Sequence, residues 1–137
     1  MTQQQVRGTA DTVQEFFGRF GTGDLAGLPE LFAEEAELVV AGAPIVPWTG
    51  RLVGRREVEG YFERFVAAVD TQLFDVERIA VDGEDAFVLG EFSHKVVSTG
   101  KTFSGPFTIR ITVRDGLIQR YQTFEDSYAA AMAFGSD

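Results

Sequence analysis

The sequence predicts an α+β fold, and three observations carry that expectation. Apolar residues recur at helical spacing in the first half of the 137-residue chain, they alternate in strand fashion from Thr71 onward, and short glycine turns separate the alternating stretches. Helices that precede a run of hairpin-connected strands gather on one face of a curved sheet. The expected architecture is a cone-shaped, curved antiparallel (mixed) sheet, with three N-terminal helices over its concave face and a short C-terminal helix.

The elements follow in order. Val13, Phe16, Phe17 and Phe20 sit at i, i+3, i+4 and i+7 and form one helical face, which Gly21-Thr22-Gly23 ends. Asp24 is placed to cap a second short helix with Leu25, Leu28, Leu31 and Phe32 on its apolar side and Pro29 in its early turn. Ala36 to Ala41 reads as a first strand, followed by a Gly- and Pro-rich loop that leads to Trp48. A third helix starts near Gly54, with Val58, Tyr61, Phe62, Phe65 and Val69 as its stripe. Phe74, Val76, Ile79 and Val81 then precede an Asp82-Gly83 turn. Strands are predicted over Asp85 to Ser98, Lys101 to Arg114 and Leu117 to Phe124, joined at Thr99-Gly100 and Asp115-Gly116. Asp126, followed by Ser127 and small residues, marks the N-cap of the last helix.

Composition narrows the function. A single domain spanning residues 1–137 is expected, since the length supports one core and the 13 Phe suffice to fill it. A formal charge of −9 repels a phosphate backbone, which argues against nucleic acid as a partner. Without cysteine, and with His94 as the one histidine, the chain offers no thiolate chemistry and no histidine-rich metal site; no metal and no cofactor are expected. No stretch approaches the roughly 20 apolar residues of a membrane span, so a cytoplasmic protein with no membrane partner is the expectation.

Side-chain parity assigns the faces. On the strand from Lys101, the apolar set Phe107, Ile109, Ile111 and Val113 belongs on the concave side, and Thr108, Arg110, Thr112 and Arg114 belong on the convex side. Glu91 shares the convex parity.

Two segments carry a family resemblance. The closing stretch Val113–Asp126, a strand, an Asp-Gly turn, a second strand and the helix start, combines with Pro47-Trp48-Thr49-Gly50-Arg51-Leu52-Val53-Gly54-Arg55-Arg56-Glu57-Val58-Glu59-Gly60-Tyr61-Phe62. Together they resemble SnoaL-like, ketosteroid-isomerase-related proteins of the nuclear-transport-factor-2-like superfamily. The resemblance implies a cavity under the helices, a homodimer paired through the convex sheet face, and a loop at Trp48 that folds over the cavity. It also implies a carboxylate three residues before Asp126, where this chain has Thr123, and in related polyketide cyclases a histidine fourteen positions earlier, where it has Ile109. In limonene epoxide hydrolase, a more distant relative, an Arg and an Asp lie at the ungapped counterparts of Gly90 and Phe92.

Thr and Ile cannot act as acid or base, which moves attention to other residues. With the family's register, Gln119, Tyr121, Thr123 and Glu125 face the cavity, together with Phe17, Trp48, Tyr61, Phe65, Phe92, Phe107 and Ile109. His94 shares parity with Phe92 and is the acid–base candidate by side-chain type; a packing residue is its alternative. Glu125 either supplies the carboxylate that Thr123 lacks or sits on a solvated rim. The hydroxyls of Tyr61 and Tyr121 either face a ligand or are satisfied by backbone. Trp48 either stacks on a planar ligand or plugs the core. Arg51, Arg55 and Arg56 form either an anion site or a solvated turn.

The expected function is that of a small-molecule cavity protein: a cofactor-independent isomerase, cyclase or hydrolase acting on an apolar oxygenated molecule such as a polyketide, enone or epoxide. The alternative is a non-catalytic ligand-binding or dimerisation module that lacks the family's acid–base pair.

Overall fold

The computed structural model describes residues 8–42, 45–47 and 49–135. Its elements are α1 (Thr9–Gly21), β1 (Phe32–Val40), β2 (Gly50–Val53), α2 (Arg55–Ala68), β3 (Val69–Asp82), β4 (Asp85–Val96), β5 (Thr102–Arg114), β6 (Leu117–Phe124) and α3 (Ser127–Phe134). The six strands form one mixed sheet in the order β2-β1-β6-β5-β4-β3, in which β1 and β6 run parallel and all other neighbours antiparallel. Four breaks in register, two of them in the β3–β4 pair, bend this sheet, because an extra residue on one strand kinks it and increases local twist.

The expectation of three N-terminal helices is corrected. Among the described residues only α1 precedes the sheet, α2 lies between β2 and β3, and the segment from Asp24 holds no more than a single 3₁₀ turn, Pro29–Leu31. Asp24 does act as a cap, but of a tight turn: its Oδ1 accepts from the Gly27 amide at 3.1 Å. Leu28 and Leu31 then donate to carbonyls three residues back, and Pro29 has no N–H to offer Leu25. The chain therefore enters β1 at Phe32. Leu28, Leu31 and Phe32 are buried all the same, so the apolar pattern reports burial correctly and helix incorrectly. The short strand β2, which pairs with Glu37–Val40, has no counterpart among the predicted elements; its four residues are mostly exposed and carry no alternation to read.

Helix α1 buries Val13 and Phe16 and leaves Phe17 and Phe20 half-buried, matching its predicted face. Its ends are tied down. The Thr12 hydroxyl donates to the Gly116 carbonyl, and Arg19 reaches Glu15 (2.8 Å), Glu30 (3.2 Å) and the Gly27 carbonyl (2.6 Å). Phe16 is the hub of the core, with the rings of Phe17, Phe32, Phe62 and Tyr121 centred 5.0–6.1 Å away. Such offset and edge-on pairs add about 0.5–1.5 kcal/mol each beyond area burial.

The hairpin turns fall at the predicted positions. At Asp115-Gly116 both residues have positive φ (55° and 77°), the conformation of a two-residue turn that matches strand twist. Phe107, Ile109, Ile111 and Val113 are buried on the helix side, as parity requires. The last strand departs from strict parity. A bulge opposite Thr112 and Val113 places Ile118 inward and leaves Gln119 out of the ladder, its amide donating to the Arg114 and Leu117 carbonyls. The expectation that Gln119 faces the cavity is therefore corrected, whereas Tyr121 and Thr123 keep inward parity.

Two local features yield stability predictions. A Cβ at Gly90 would lie 2.0 Å from the Asp75 carbonyl oxygen and 2.7 Å from the Phe107 ring, so Gly90→Ala is expected to cost about 1–3 kcal/mol in chemical denaturation. The same crowding leaves no room at this position for the Arg that limonene epoxide hydrolase would place there. Asp126 caps α3 as predicted, accepting from the Ala129 amide at 3.0 Å. Asp126→Ala is expected to cost about 1 kcal/mol and to speed hydrogen exchange at the first amides of α3.

Candidate functional site

The cavity lies between the inner sheet face and the first two helices. Helix α1 contributes Phe16, Phe17 and Phe20, and α2 contributes Tyr61, Phe62 and Phe65. Strands β3 to β6 add Phe74, Phe92, His94, Phe107, Ile109, Tyr121 and Thr123, and Glu125 follows the end of β6. The interior admits the centres of water-sized spheres over about 40 Å³, within a void of about 480 Å³ that opens to solvent.

Every residue that the sequence assigns to the cavity wall lines this space except Gln119, displaced by the bulge, and Trp48, which lies outside the described residues. Phe16, Phe20, Phe62 and Phe74 line it as well, beyond those expected. Their signal is present in the helical stripes and in the strand alternation, but burial alone does not separate a core ring from a cavity ring. Phe74 stacks on Phe107 at 4.9 Å, and the two together form a flat wall.

Polar groups are few and specifically placed. Thr123 is the cross-strand partner of Ile109, so the two positions where relatives keep an acid–base pair do face one another, with neither able to transfer a proton. The Thr123 hydroxyl is buried and makes no hydrogen bond. No hydrogen bond among the described residues engages the hydroxyls of Tyr61 or Tyr121, so backbone does not satisfy them. Burial pushes both phenols well above their ordinary pKa, Tyr61 further raised by Tyr121 and Glu125, and Tyr121 by Glu125. Both are un-ionised hydrogen-bond donors at any physiological pH.

The two acid–base candidates differ in opposite directions. Burial lowers the His94 pKa to about 4, so the ring is neutral near pH 7. Its Nδ1 lies 3.0 Å from the Thr71 hydroxyl, Phe92 stacks on it at 4.8 Å, and Phe65 meets it edge-on at 5.1 Å. Glu125 moves the other way. Burial first, and the charge of Asp126 second, raise its pKa to about 7, which leaves the carboxyl able to hold or release a proton at neutral pH. Glu125 is half-buried and lines the cavity, which opens to solvent, just beyond the end of β6.

Two of the three clustered arginines make structural ties. Arg55 donates to the Phe32 carbonyl from Nε (3.1 Å) and Nη2 (2.7 Å), and Arg51 pairs with Glu37. Glu91 is exposed on the convex face, as expected. Among the described residues no cluster of His, Cys, Asp or Glu could hold a metal ion, and no helix is long and apolar enough to cross a membrane.

Comparisons with known proteins agree with this geometry. A curated relative, patulin synthesis protein F of Aspergillus clavatus, is 31% identical over 96 residues, which cover 68% of this chain and 48% of that protein. The chain thus spans about half the length of that relative. The solved structure of an NTF2-like protein from Burkholderia xenovorans superposes with a TM-score of 0.85 at 25% identity, covering 97% of this chain and 100% of the other. A candidate SnoaL-like polyketide cyclase from Mesorhizobium loti shares the fold, with a TM-score of 0.71 at 19% identity over 85% of this chain and 97% of its own. The model of the SnoaL-like domain matches residues 13–121, a stretch that includes most of α1, all of α2 and most of the cavity wall, and the chain therefore belongs to the SnoaL-like domain family.

Proposed function

We propose that this protein is a cofactor-independent enzyme of the isomerase or cyclase type, acting on a small, apolar, oxygenated molecule by proton transfer at Glu125. One observation carries the reading: a carboxyl with a pKa of about 7 opens into an aromatic cavity whose phenolic hydroxyls make no hydrogen bond among the described residues. In the carboxylate form, Glu125 takes a proton from a carbon next to a carbonyl, and the C–H electron pair passes into an enolate. Tyr61, Tyr121 and Thr123 offer hydroxyl donors to the developing oxyanion. Returning the proton at another carbon completes an isomerisation; attack of the enolate carbon on an internal carbonyl, with Glu125 returning its proton to the new alkoxide, completes a cyclisation. His94, neutral, serves as a hydrogen-bonding and shape-determining wall residue rather than as a base. The polyketide-cyclase description of a structural neighbour accords with this class of substrate.

The test follows exchange of the protons alpha to the carbonyl in a panel of cyclic enones and β-diketones in D₂O by NMR. The protein is expected to accelerate exchange for at least one compound, and the acceleration is expected to vanish in Glu125→Gln. A panel that binds with no exchange favours the second reading, a ligand-binding module, which rests on Ile109 and Thr123 occupying the paired positions.

A homodimer through the convex face belongs to the same proposal. Leu89 and Phe124, 42% and 50% exposed, flank Thr108 as its partners on neighbouring strands and make an apolar row across that face. Sedimentation equilibrium of Leu89→Lys against the unmodified chain checks it, with a shift toward monomer expected.

A further inference from the structure

A second depression lies outside the cavity, and the two share a wall. It is bounded by the end of α1, the following Gly21–Leu25 turn, the end of α2 and the start of β3. Phe20, Phe65 and Phe74 line both spaces. Their rings form a partition, with Phe20 centred 5.3 Å from Phe74 and 6.4 Å from Phe65, and all three are half-buried. Against the 40 Å³ open to the centres of water-sized spheres inside, the outer cleft offers about 560 Å³, part of it open to solvent.

The enclosed part of the inner cavity is small beside small-molecule sites, which run to roughly 300–1,000 Å³, so it suits the head of a ligand rather than the whole of a long one. The outer cleft supplies the missing room. Its lining beyond the shared rings is mainly aliphatic, with Leu25, Val66 and Val69, and Val66 is 45% exposed, a large apolar surface left uncovered. Among the described residues its polar members are Asp70 and Thr71, with no Lys or Arg. Thr71 also bonds Nδ1 of His94, whose ring lines the inner cavity, so cleft and cavity meet at this contact as well as at the three rings.

From this we infer that the outer cleft is a binding subsite for the apolar tail of an elongated, uncharged substrate whose oxygenated head occupies the inner cavity. The inference rests on the proposed reading of the cavity for the position of the head, and adds the length, polarity and direction of the substrate. The head sits against Tyr61, Tyr121 and Glu125, and the tail parts the ring partition of Phe20, Phe65 and Phe74 to reach Leu25 and Val66. A tail ending in a carboxylate is disfavoured, because among the described residues Asp70 is the only charged one that lines the cleft.

The test is a titration of the full chain with 3-alkyl-2-cyclohexenones from methyl to octyl, read from amide chemical shifts. Burying a methylene contributes about 0.8 kcal/mol, so affinity is expected to rise about threefold to fourfold per added CH₂ until the cleft is filled. The amides of Gly21 to Leu25 and Val66 to Thr71 are expected to shift only with the longer members. In Val66→Asp and Leu25→Asp, each checked for an unchanged folded spectrum, the gain with length is expected to disappear while the methyl member binds as before. The octyl chain capped with a terminal carboxylate is expected to bind more weakly than the uncapped one. An affinity independent of chain length, a slope that survives both Asp substitutions, or no binding by any member overturns the inference. Loss of proton exchange with the length dependence intact instead removes the catalytic reading and leaves the subsite standing.

Discussion

Glu125→Gln is expected to lower kcat/KM for proton transfer by a factor of about 10²–10⁴ while changing substrate affinity little. Gln keeps the size and polarity of the side chain and removes only its ability to carry a proton. The unmodified protein should also show a distinctive pH profile. The base is the carboxylate, and its pKa is about 7, so kcat/KM is expected to rise with pH through about 7 and then level off. A carboxylate of ordinary pKa would already be fully ionised at pH 6 and would give a flat profile there. Tyr61 and Tyr121, both pushed upward, leave the alkaline side level through the physiological range. A profile already level at pH 5.5, or turnover that survives in Glu125→Gln, shows that another group takes the proton.

The second large effect concerns folding. Glu125 is raised from 4.5 to about 7 in the folded chain, so its contribution is fully present below pH 4.5 and is lost as pH rises through 7. His94 is lowered from 6.5 to about 4, so its contribution is present above pH 6.5 and is lost as pH falls through 4. Between about pH 4.5 and 6.5 the two slopes are opposite in sign and similar in size. The unfolded chain has released the Glu125 proton and gained the His94 proton, and the folded chain has done neither. Stability from these two groups is therefore expected to be nearly level across that window.

Single substitutions expose the hidden slopes. In Glu125→Gln, stability is expected to rise by about 1.4 kcal/mol per pH unit between 4.5 and 6.5, for a total of about 3 kcal/mol. In His94→Gln it is expected to fall at about the same rate over the same window. Urea denaturation at three pH values per variant measures both. Slopes, not absolute stabilities, decide the matter, because either substitution also changes packing in an aromatic wall. If the two variants retain the level profile of the parent, the burial that separates these groups does not persist in solution.

Much of this site is legible in residue type and spacing alone. Strand alternation locates Phe107, Ile109, Tyr121, Thr123 and the inward parity of His94, because a half-buried strand must place every second side chain on the apolar side. Helical spacing locates Phe17, Tyr61 and Phe65 for the corresponding reason. The fourteen positions between Ile109 and Thr123 match a cross-strand pair, since an antiparallel hairpin with a short turn ties sequence separation to register. The second helix is misread because leucine spacing reports burial, whereas hydrogen bonding through Gly27 and Pro29 decides conformation. Gln119 is misplaced because a bulge inserts one residue into one strand, and nothing in an alternating pattern marks where that happens.

The sequence by itself determined the α+β class, the hairpin turns and the cap at Asp126. These are properties of residue type and local spacing, and they need no distant neighbour. Only the tertiary structure decided that Glu125 is poised near neutrality, that His94 is held neutral against Thr71, and that Phe20, Phe65 and Phe74 line both the cavity and the cleft outside it. Those properties arise from desolvation and from packing between residues far apart in the chain. A carboxyl or an imidazole carries no record of the surface that will close over it.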